Sequence, residues 1–386
     1  MPGDHSILAP SSAPIWVPCP GSVQECLILP PDEGGQDADE GNAVHAIGAD
    51  FIRGSTKGQG YKQTAVAEVG KVRDGVTVTQ EMVDGAVLYA DTCTELIRSA
   101  GVFGGPNLGI EQPVTIEDVH ADCYGTPDFY LFDSHESILY VADLKFGFGV
   151  HEVFENWQLL AYAIGIVAGL TQKPATIKLM IIQPRAPHAR GPVRTWKLTR
   201  GTLNTTYLNQ LRDAAEMAMG SDAFVESGDH CRRCSALVSC EFNQRTTFNA
   251  LDMIGGLGSY VVPERDQWYE LFLLEKAQKR IDHRVDALRT ELETKLKKGA
   301  NVPRFRLTDT FGRNNWNISH NEIVQLGKSY GLDLEVPKTL TPPQAVKAGL
   351  SAELVDAFTE KKKKGKKLIY DDLKNARYLF GDASKE

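Results

Sequence analysis

The sequence predicts an α/β protein: a mixed central β-sheet flanked by helices, followed by a mainly helical C-terminal extension. Three observations carry this. Apolar runs of strand length (Pro127 to Phe132, Ile138 to Phe146, Thr176 to Gln183) alternate with longer runs of helical period (Gln80 to Ala100, Asn156 to Leu170, Leu203 to Met219). The turn-like residues Asp133-Ser134-His135-Glu136 join the first two strand runs as a hairpin. From Tyr269 to Lys298 a single long helical pattern with a charged face replaces the alternation.

The chain has 386 residues, 42% of them hydrophobic and 24% charged, which is a globular composition and enough length for two domains, 1–245 and 246–386. No run of about 18 apolar residues and no basic-then-apolar amino terminus occurs, so neither a membrane span nor a secretory signal is expected, and a cytoplasmic location is. The net charge of -8 comes from residues 1–50, with eight acids and no Lys or Arg. Elsewhere Arg185, Arg190, Arg194, Lys197 and Arg200 form one acid-free basic stretch, and Lys361 to Lys364 with Lys366 and Lys367 form another. Local basic surface of this kind suits a phosphate backbone.

In order along the chain, Ser11-Ser12-Ala13 is expected to cap a short helix carrying Trp16, closed by Pro18-Cys19-Pro20. A helix containing His45 starts at the acids Asp37, Asp39 and Glu40 and runs past Phe51 and Ile52. Glu40, five residues before His45, is off its face and is read as a supporting residue. In the helix Gln80 to Ala100, Met82, Ala86, Val87, Tyr89, Ala90, Leu96 and Ile97 are the inner positions. Gly101 to Gly109 is a turn, and Ile110 to Val119 a strand leading into the hairpin.

The hairpin carries the chemistry. Strand alternation puts Asp143 and Lys145 on one face and Leu144 on the other, and Asp128 in the preceding strand is placed to join them. Two acids and a lysine at the end of an apolar strand are costly to bury unless paired, and their hard oxygens suit Mg²⁺ or Mn²⁺ with the lysine beside a metal-activated water. In the following helix Gln158 and Tyr162 lie at i and i+4, on one face. Thr176 to Gln183 is a buried strand that Arg194 to Leu198 is expected to pair with.

Gly125-Thr126-Pro127-Asp128, Asp143-Leu144-Lys145 and Gln158-Leu159-Leu160-Ala161-Tyr162, preceded by His45, resemble in type and order the motifs of the PD-(D/E)XK nuclease superfamily, in its RecB-like branch. The resemblance implies a restriction-endonuclease-like core in which Asp128, Asp143, His45 and the Leu144 carbonyl hold the metal, Lys145 orients the water, and Gln158 and Tyr162 position the strand. Ser11-Ser12-Ala13, Cys19-Pro20-Gly21-Ser22 and Glu40-Gly41 ahead of His45 are also similar to an uncharacterised phage-associated family of that superfamily.

Of seven cysteines, three form a C-x₂-C-x₅-C pattern at Cys231, Cys234 and Cys240, which in a reducing compartment favours metal over disulfide. One cysteine ahead of the core and three behind it resembles the iron-sulfur nucleases related to AddB and the CRISPR adaptation nucleases. This implies a [4Fe-4S] cluster held by Cys19, Cys231, Cys234 and Cys240. Zinc, with His230 or Cys19 as fourth ligand, is the alternative. Cys26, Cys93 and Cys123 are read as buried thiols, with Cys26 able to substitute for Cys19.

The apolar stripe of the Tyr269 to Lys298 helix is Leu271, Leu274, Ala277, Ile281, Val285, Leu288 and Leu292, which makes it either a helical arm against the nuclease core or half of an intermolecular pair. Arg304-Phe305-Arg306-Leu307 and Arg313 to Trp316 are either a small hairpin or a clamp for single-stranded nucleic acid, and two short helices begin at Leu340 and Ser351. Taken together, the sequence leads to a Mg²⁺- or Mn²⁺-dependent deoxyribonuclease, and the resemblance to the iron-sulfur nucleases implies an exonuclease working on DNA ends in phage or bacterial recombination, replication or repair. Its partners would be linear or single-stranded DNA ends and a recombination or replication protein, in the host cytoplasm if phage-encoded. A non-catalytic DNA- or protein-binding module, an endonuclease and an RNA-directed nuclease are the alternatives.

Overall fold

A computed structural model describes residues 6–29, 36–256, 267–303, 305 and 307. Four long helices, α1 (Gln36–Thr56), α2 (Gln80–Ala100), α3 (Trp157–Gly169) and α4 (Leu208–Met219), pack around a five-stranded sheet. The sheet is built from β1 (Leu108–Ile110), β2 (Phe129–Asp133), β3 (Ile138–Leu144), β4 (Thr176–Ile182) and β5 (Val193–Thr199), neighbours in that order. β3 and β4 run parallel and every other pair is antiparallel, so the sheet is mixed, as expected. A parallel pair needs a crossover, and α3 supplies it.

The hairpin turn is made by its own side chain: Asp133 Oδ1 accepts from the backbone N–H groups of His135 and Glu136, both at 3.0 Å, and Ser137 takes a left-handed φ of 57°. β2 is buried along its whole length and β3 nearly so, which is why both read as unbroken apolar runs. One face of the sheet (Leu139, Val141, Ile177, Leu179, Ile181) packs on α3 and α4, and the other (Phe129, Leu131, Ala142, Leu144, Met180, Ile182) on α1 and α2. The site described below sits where these two cores meet at the end of β3.

α2 has the predicted bounds because both ends are capped. Thr79 Oγ1 accepts from the Met82 N–H at 3.3 Å, and Gly101 closes the helix in the left-handed conformation at φ 66°. α3 begins where the Asn156 side chain accepts from the Leu159 N–H at 3.1 Å.

Three expectations need correction. Ile110 to Val119 is not one strand. β1 ends at Ile110, Glu111 adopts φ 48°, Pro113 has no N–H for a ladder, and Val114–Thr115 pairs separately with Tyr124–Gly125. Ser12 donates back to the Ala9 carbonyl at 2.9 Å, and no side chain caps the Ala13–Trp16 turn. The basic stretch after Gln183 is only in part open surface: Arg185 pairs with Glu40 at 2.8 Å, Arg190 with Glu152 at 3.2 Å, and Arg194 is buried, while Lys197 and Arg200 are exposed.

The long helix α6 (Gln267–Lys297) follows α5 (Glu241–Gly256). The Leu271, Leu274, Val285 and Leu288 side chains of its apolar stripe are exposed. The buried Arg284 donates to the carbonyls of Leu237 and Val238, and Arg280 to that of Ser227. Guanidinium forks thus satisfy backbone carbonyls of the cysteine-bearing segment.

The described residues up to 291 belong to one compact unit, and those from 292 on to a second. Arg313 to Trp316, the helices expected at Leu340 and Ser351, and the lysine run 361–367 lie outside the described residues. No helix among the described residues is long and apolar enough to cross a membrane.

Gly165 of α3 lies against the segment that follows Glu111: an added Cβ would come 2.7 Å from the Thr115 carbonyl oxygen and 2.8 Å from Ile116 Cγ1. Gly165→Ala is therefore expected to destabilise the fold by about 1–3 kcal/mol through overpacking, read as a lower urea midpoint with an unchanged slope.

Candidate functional site

Asp143, the penultimate residue of β3, is 2% exposed, and its carboxylate is enclosed by two side chains. Lys145 Nζ stands 3.0 Å from Asp143 Oδ2 and donates to Gln158 Oε1 at 3.0 Å, while Gln158 Nε2 donates to Asp143 Oδ1 at 2.8 Å. The three side chains form a closed triangle. Alternation along the strand brings Asp143 and Lys145 together, and the first turn of α3 delivers Gln158. One helical turn on, Tyr162 lies over Gly125, where a Cβ would come within 3.1 Å of both Tyr162 Oη and Pro10 Cδ. The small residue two positions before Pro127 therefore makes room for the tyrosine.

Asp128, immediately before β2, faces the same spot from the neighbouring strand. Its Oδ2 accepts from the Leu144 N–H at 2.6 Å, and its Oδ1 lies 3.3 Å from His45 Nδ1 on α1. Extending the register Phe129↔Ala142 by two residues puts Pro127 opposite Leu144. Proline has no N–H, so the Leu144 carbonyl meets no ladder donor there, and the proline before Asp128 gains a physical reason.

Sequence reasoning missed Glu111. Its N–H donates to the Asp128 carbonyl at 3.0 Å and its Oε1 lies 3.7 Å from His45 Nδ1. His45, Glu111 and Asp128 offer ligand atoms all within 4.8 Å of one another, a group close enough to hold a metal ion. The signal was weak: an acid followed within two residues by proline, at the end of a glycine-rich turn, marks a strand end only once the break at Glu111 is known.

The charges are mutually dependent. Burial opposes the His45 imidazolium, but the Asp128 carboxylate and Glu111 outweigh it and raise its pKa to about 10. Burial disfavours the Asp128 carboxylate too, yet His45, Lys145 and the Leu144 N–H hold it below the usual range. Asp143 goes the other way: burial lifts it to about 6, against the pull of Lys145. Glu111 Oε1 and the Tyr89 hydroxyl are buried with no aligned hydrogen-bond partner, whereas Asp143 Oδ2 has the Lys145 ammonium beside it. A buried Glu111 oxygen beside the Asp128 carboxylate and an imidazole fits a divalent cation.

The segment after Lys145 is held from below. Gln183, fully buried, donates to the carbonyls of Gly147 at 3.1 Å and Gly149 at 2.7 Å and accepts from the His151 N–H at 3.1 Å. Arg194 donates to the His151 carbonyl and to Gln183 Oε1, both at 2.8 Å.

The cysteines come together from both ends of the first unit. Cys19, Cys231, Cys234 and Cys240 line one small cavity with His230. Backbone N–H groups point at three of the sulfurs: Glu226 at Cys19 (3.3 Å), Gly228 at Cys231 (3.3 Å) and Asn243 at Cys240 (3.4 Å). The approach depends on Gly21, whose N–H donates to the Phe224 carbonyl at 2.9 Å and whose added Cβ would come 2.6 Å from Val225 Cγ2.

Cys93 and Cys123 are buried away from this cavity, as expected, but Cys26 is not a mere core thiol. Its Sγ lies 3.9 Å from Cys234 Sγ, and that contact lowers its pKa to about 6. The helix Ser22–Leu27 carries it there.

A family model described as "Protein of unknown function (DUF2800)" matches residues 5–372, and the chain belongs to that family. The match runs well beyond residue 245, where the motif resemblance ends.

In the metal-free protein His45 keeps its proton at neutral pH, because its pKa is raised to about 10, and a ligating imidazole must be neutral. Cation binding is therefore expected to release about one proton at pH 7.5 and to tighten as pH rises toward 10. Calorimetric titration with Mn²⁺ in two buffers of different ionisation enthalpy measures this; His45→Asn should bind with close to no proton release.

Proposed function

We propose that the protein is a divalent-metal-dependent nuclease of the PD-(D/E)XK superfamily, RecB-like branch, which hydrolyses phosphodiester bonds in DNA and works from DNA ends. The observation that carries this reading is the closed Asp143–Lys145–Gln158 triangle beside a carbonyl that its strand partner cannot pair, with Asp128 and His45 facing it. A Mg²⁺ or Mn²⁺ ion held by Asp128, Asp143, His45 and the Leu144 carbonyl would supply an acidified water and charge stabilisation at the phosphate. Glu111 adds a further carboxylate to that set, which suits an oxygen-rich cation site.

The chain's own groups do the positioning. Gln158 fixes the Lys145 ammonium against Asp143 by accepting from one and donating to the other, so that the lysine cannot swing away when a phosphate arrives. Lys145 stays protonated, because Asp143 and Asp128 overcome the burial penalty and raise its pKa, and it is suited to orient a water and to offset charge on the phosphate. Burial and the nearby Asp128 and Asp143 keep the Tyr162 hydroxyl protonated, as a hydrogen-bond donor to the strand.

An iron-sulfur cluster in the thiol cavity is the reading the resemblance supports, with a zinc ion the alternative. Cys19, Cys231, Cys234 and Cys240, with N–H groups aimed at three of the sulfurs, are the proposed holders of a [4Fe-4S] cluster. Action on DNA ends in phage or bacterial recombination, replication or repair, with a partner protein of that machinery in the cytoplasm, follows from the resemblance to iron-sulfur nucleases.

The test is degradation of end-labelled linear DNA, circular DNA and RNA with Mn²⁺ by wild type and Asp143→Ala. Asp143→Ala is expected to lose activity by about 10²–10³-fold or more, with linear DNA the preferred wild-type substrate. Equal activity in the two proteins, or none in either, would sink the reading. Cutting of the circle or the RNA in preference to linear DNA would replace the exonuclease assignment with an endonuclease or an RNA-directed one.

Anaerobic preparations are expected to be brown and to contain close to four irons and four sulfides per chain in wild type, with much of both lost in Cys234→Ser. One zinc and no sulfide would contradict the cluster.

A further inference from the structure

The short turn Asp229–Arg233 that carries Cys231 also carries a cation with no use in the proposed chemistry. Arg233 is exposed, and its Nη1 donates to His151 Nδ1 at 3.3 Å. His151 belongs to the segment that follows Lys145 and that Gln183 and Arg194 hold in place. The contact therefore joins the cysteine segment directly to the rim of the metal centre, across 82 positions of sequence.

Three cationic side chains surround His151. Its ring is held neutral, with its pKa lowered to about 4, first by burial and then by the charges of Lys145, Arg233 and Arg194. Arg233 is also the cation that most opposes protonation of Lys145. Lys145 is answered by Asp143, and Arg194 by carbonyl and amide oxygens in the interior. Among the described residues no carboxylate lies within 4.0 Å of Arg233, whose described hydrogen bond goes to a neutral ring. An exposed guanidinium without an anionic partner, near enough to Lys145 for their charges to repel, is arranged for an anion arriving from outside.

We propose that Arg233 binds a backbone phosphate of the nucleic-acid strand next to the one at the metal centre, and that the thiol-held segment fixes the arginine there. This rests on the nuclease reading for the identity of the ligand. It makes the two centres parts of one substrate surface, with Arg233 as the direct link between the cysteine segment and the cleft.

The test is equilibrium binding of the full-length protein to a labelled 20-nucleotide single-stranded DNA in Ca²⁺, over a range of salt concentrations, for wild type, Arg233→Ala and Arg233→Lys. Iron and sulfide content is measured on each preparation. Arg233→Ala is expected to bind about tenfold more weakly at moderate salt and to lose about 0.7 from the slope of log affinity against log salt, the signature of one lost phosphate contact on a single strand. Arg233→Lys should keep the slope, and all three proteins should carry the same iron and sulfide.

An unchanged slope in Arg233→Ala overturns the proposal. So does a loss of slope in Arg233→Lys as large as in Arg233→Ala, which would mark a structural role. Wild type that binds the strand but leaves it uncut in Mn²⁺ would defeat the nuclease reading and leave the Arg233 contact standing. Wild type that cuts, alongside Arg233→Ala with the wild-type slope, would do the reverse.

Discussion

The interaction on which the rest depends is the burial of the Asp143 carboxylate at the end of β3. A carboxylate that is 2% exposed at the edge of an apolar core is unfavourable unless its oxygens are met by donors, and here Lys145 and Gln158 meet them while holding each other. Gln158 can be there only because the crossover between parallel β3 and β4 is a helix that starts at Asn156, so the topology of the sheet and the triangle at its end are one constraint. The same burial lifts the Asp143 pKa to about 6, against the pull of the Lys145 ammonium that stands beside it.

A second constraint runs from the amino terminus to the cysteine segment. Gly21 allows the chain to lie against Phe224 and Val225, and this contact brings Cys19 to the three later cysteines and Cys26 to Cys234. α6 then completes the enclosure with two arginines on backbone carbonyls of the same segment. The thiol cavity is thus built from segments far apart in sequence, and one of them carries Arg233 to His151 in the segment that follows Lys145.

Much of this was legible in the sequence, for identifiable reasons. The bounds of α2 are written in Thr79 and Gly101, and the hairpin in Asp133; strand alternation alone put Asp143 and Lys145 together, and helical spacing put Gln158 one turn from Tyr162. Glu111 was not legible. A positive φ at an acidic residue is a property of the folded chain, and an unbroken apolar reading of Ile110 to Val119 hid the turn that swings the glutamate toward His45. Cys26 was misread because its importance lies in a contact across 208 positions, and the Arg185 and Arg190 stretch because their carboxylate partners come from distant segments. The periodicity of α6 was clear, but that Arg280 and Arg284 would donate to carbonyls of the cysteine segment was not written in it.

The most direct measurement of the central claim is anomalous diffraction from crystals of the protein grown with Mn²⁺. The account predicts a manganese peak bonded to the Asp128 and Asp143 carboxylates and the Leu144 carbonyl, with His45 completing the set. A manganese peak away from both carboxylates, or none at saturating Mn²⁺, would contradict it.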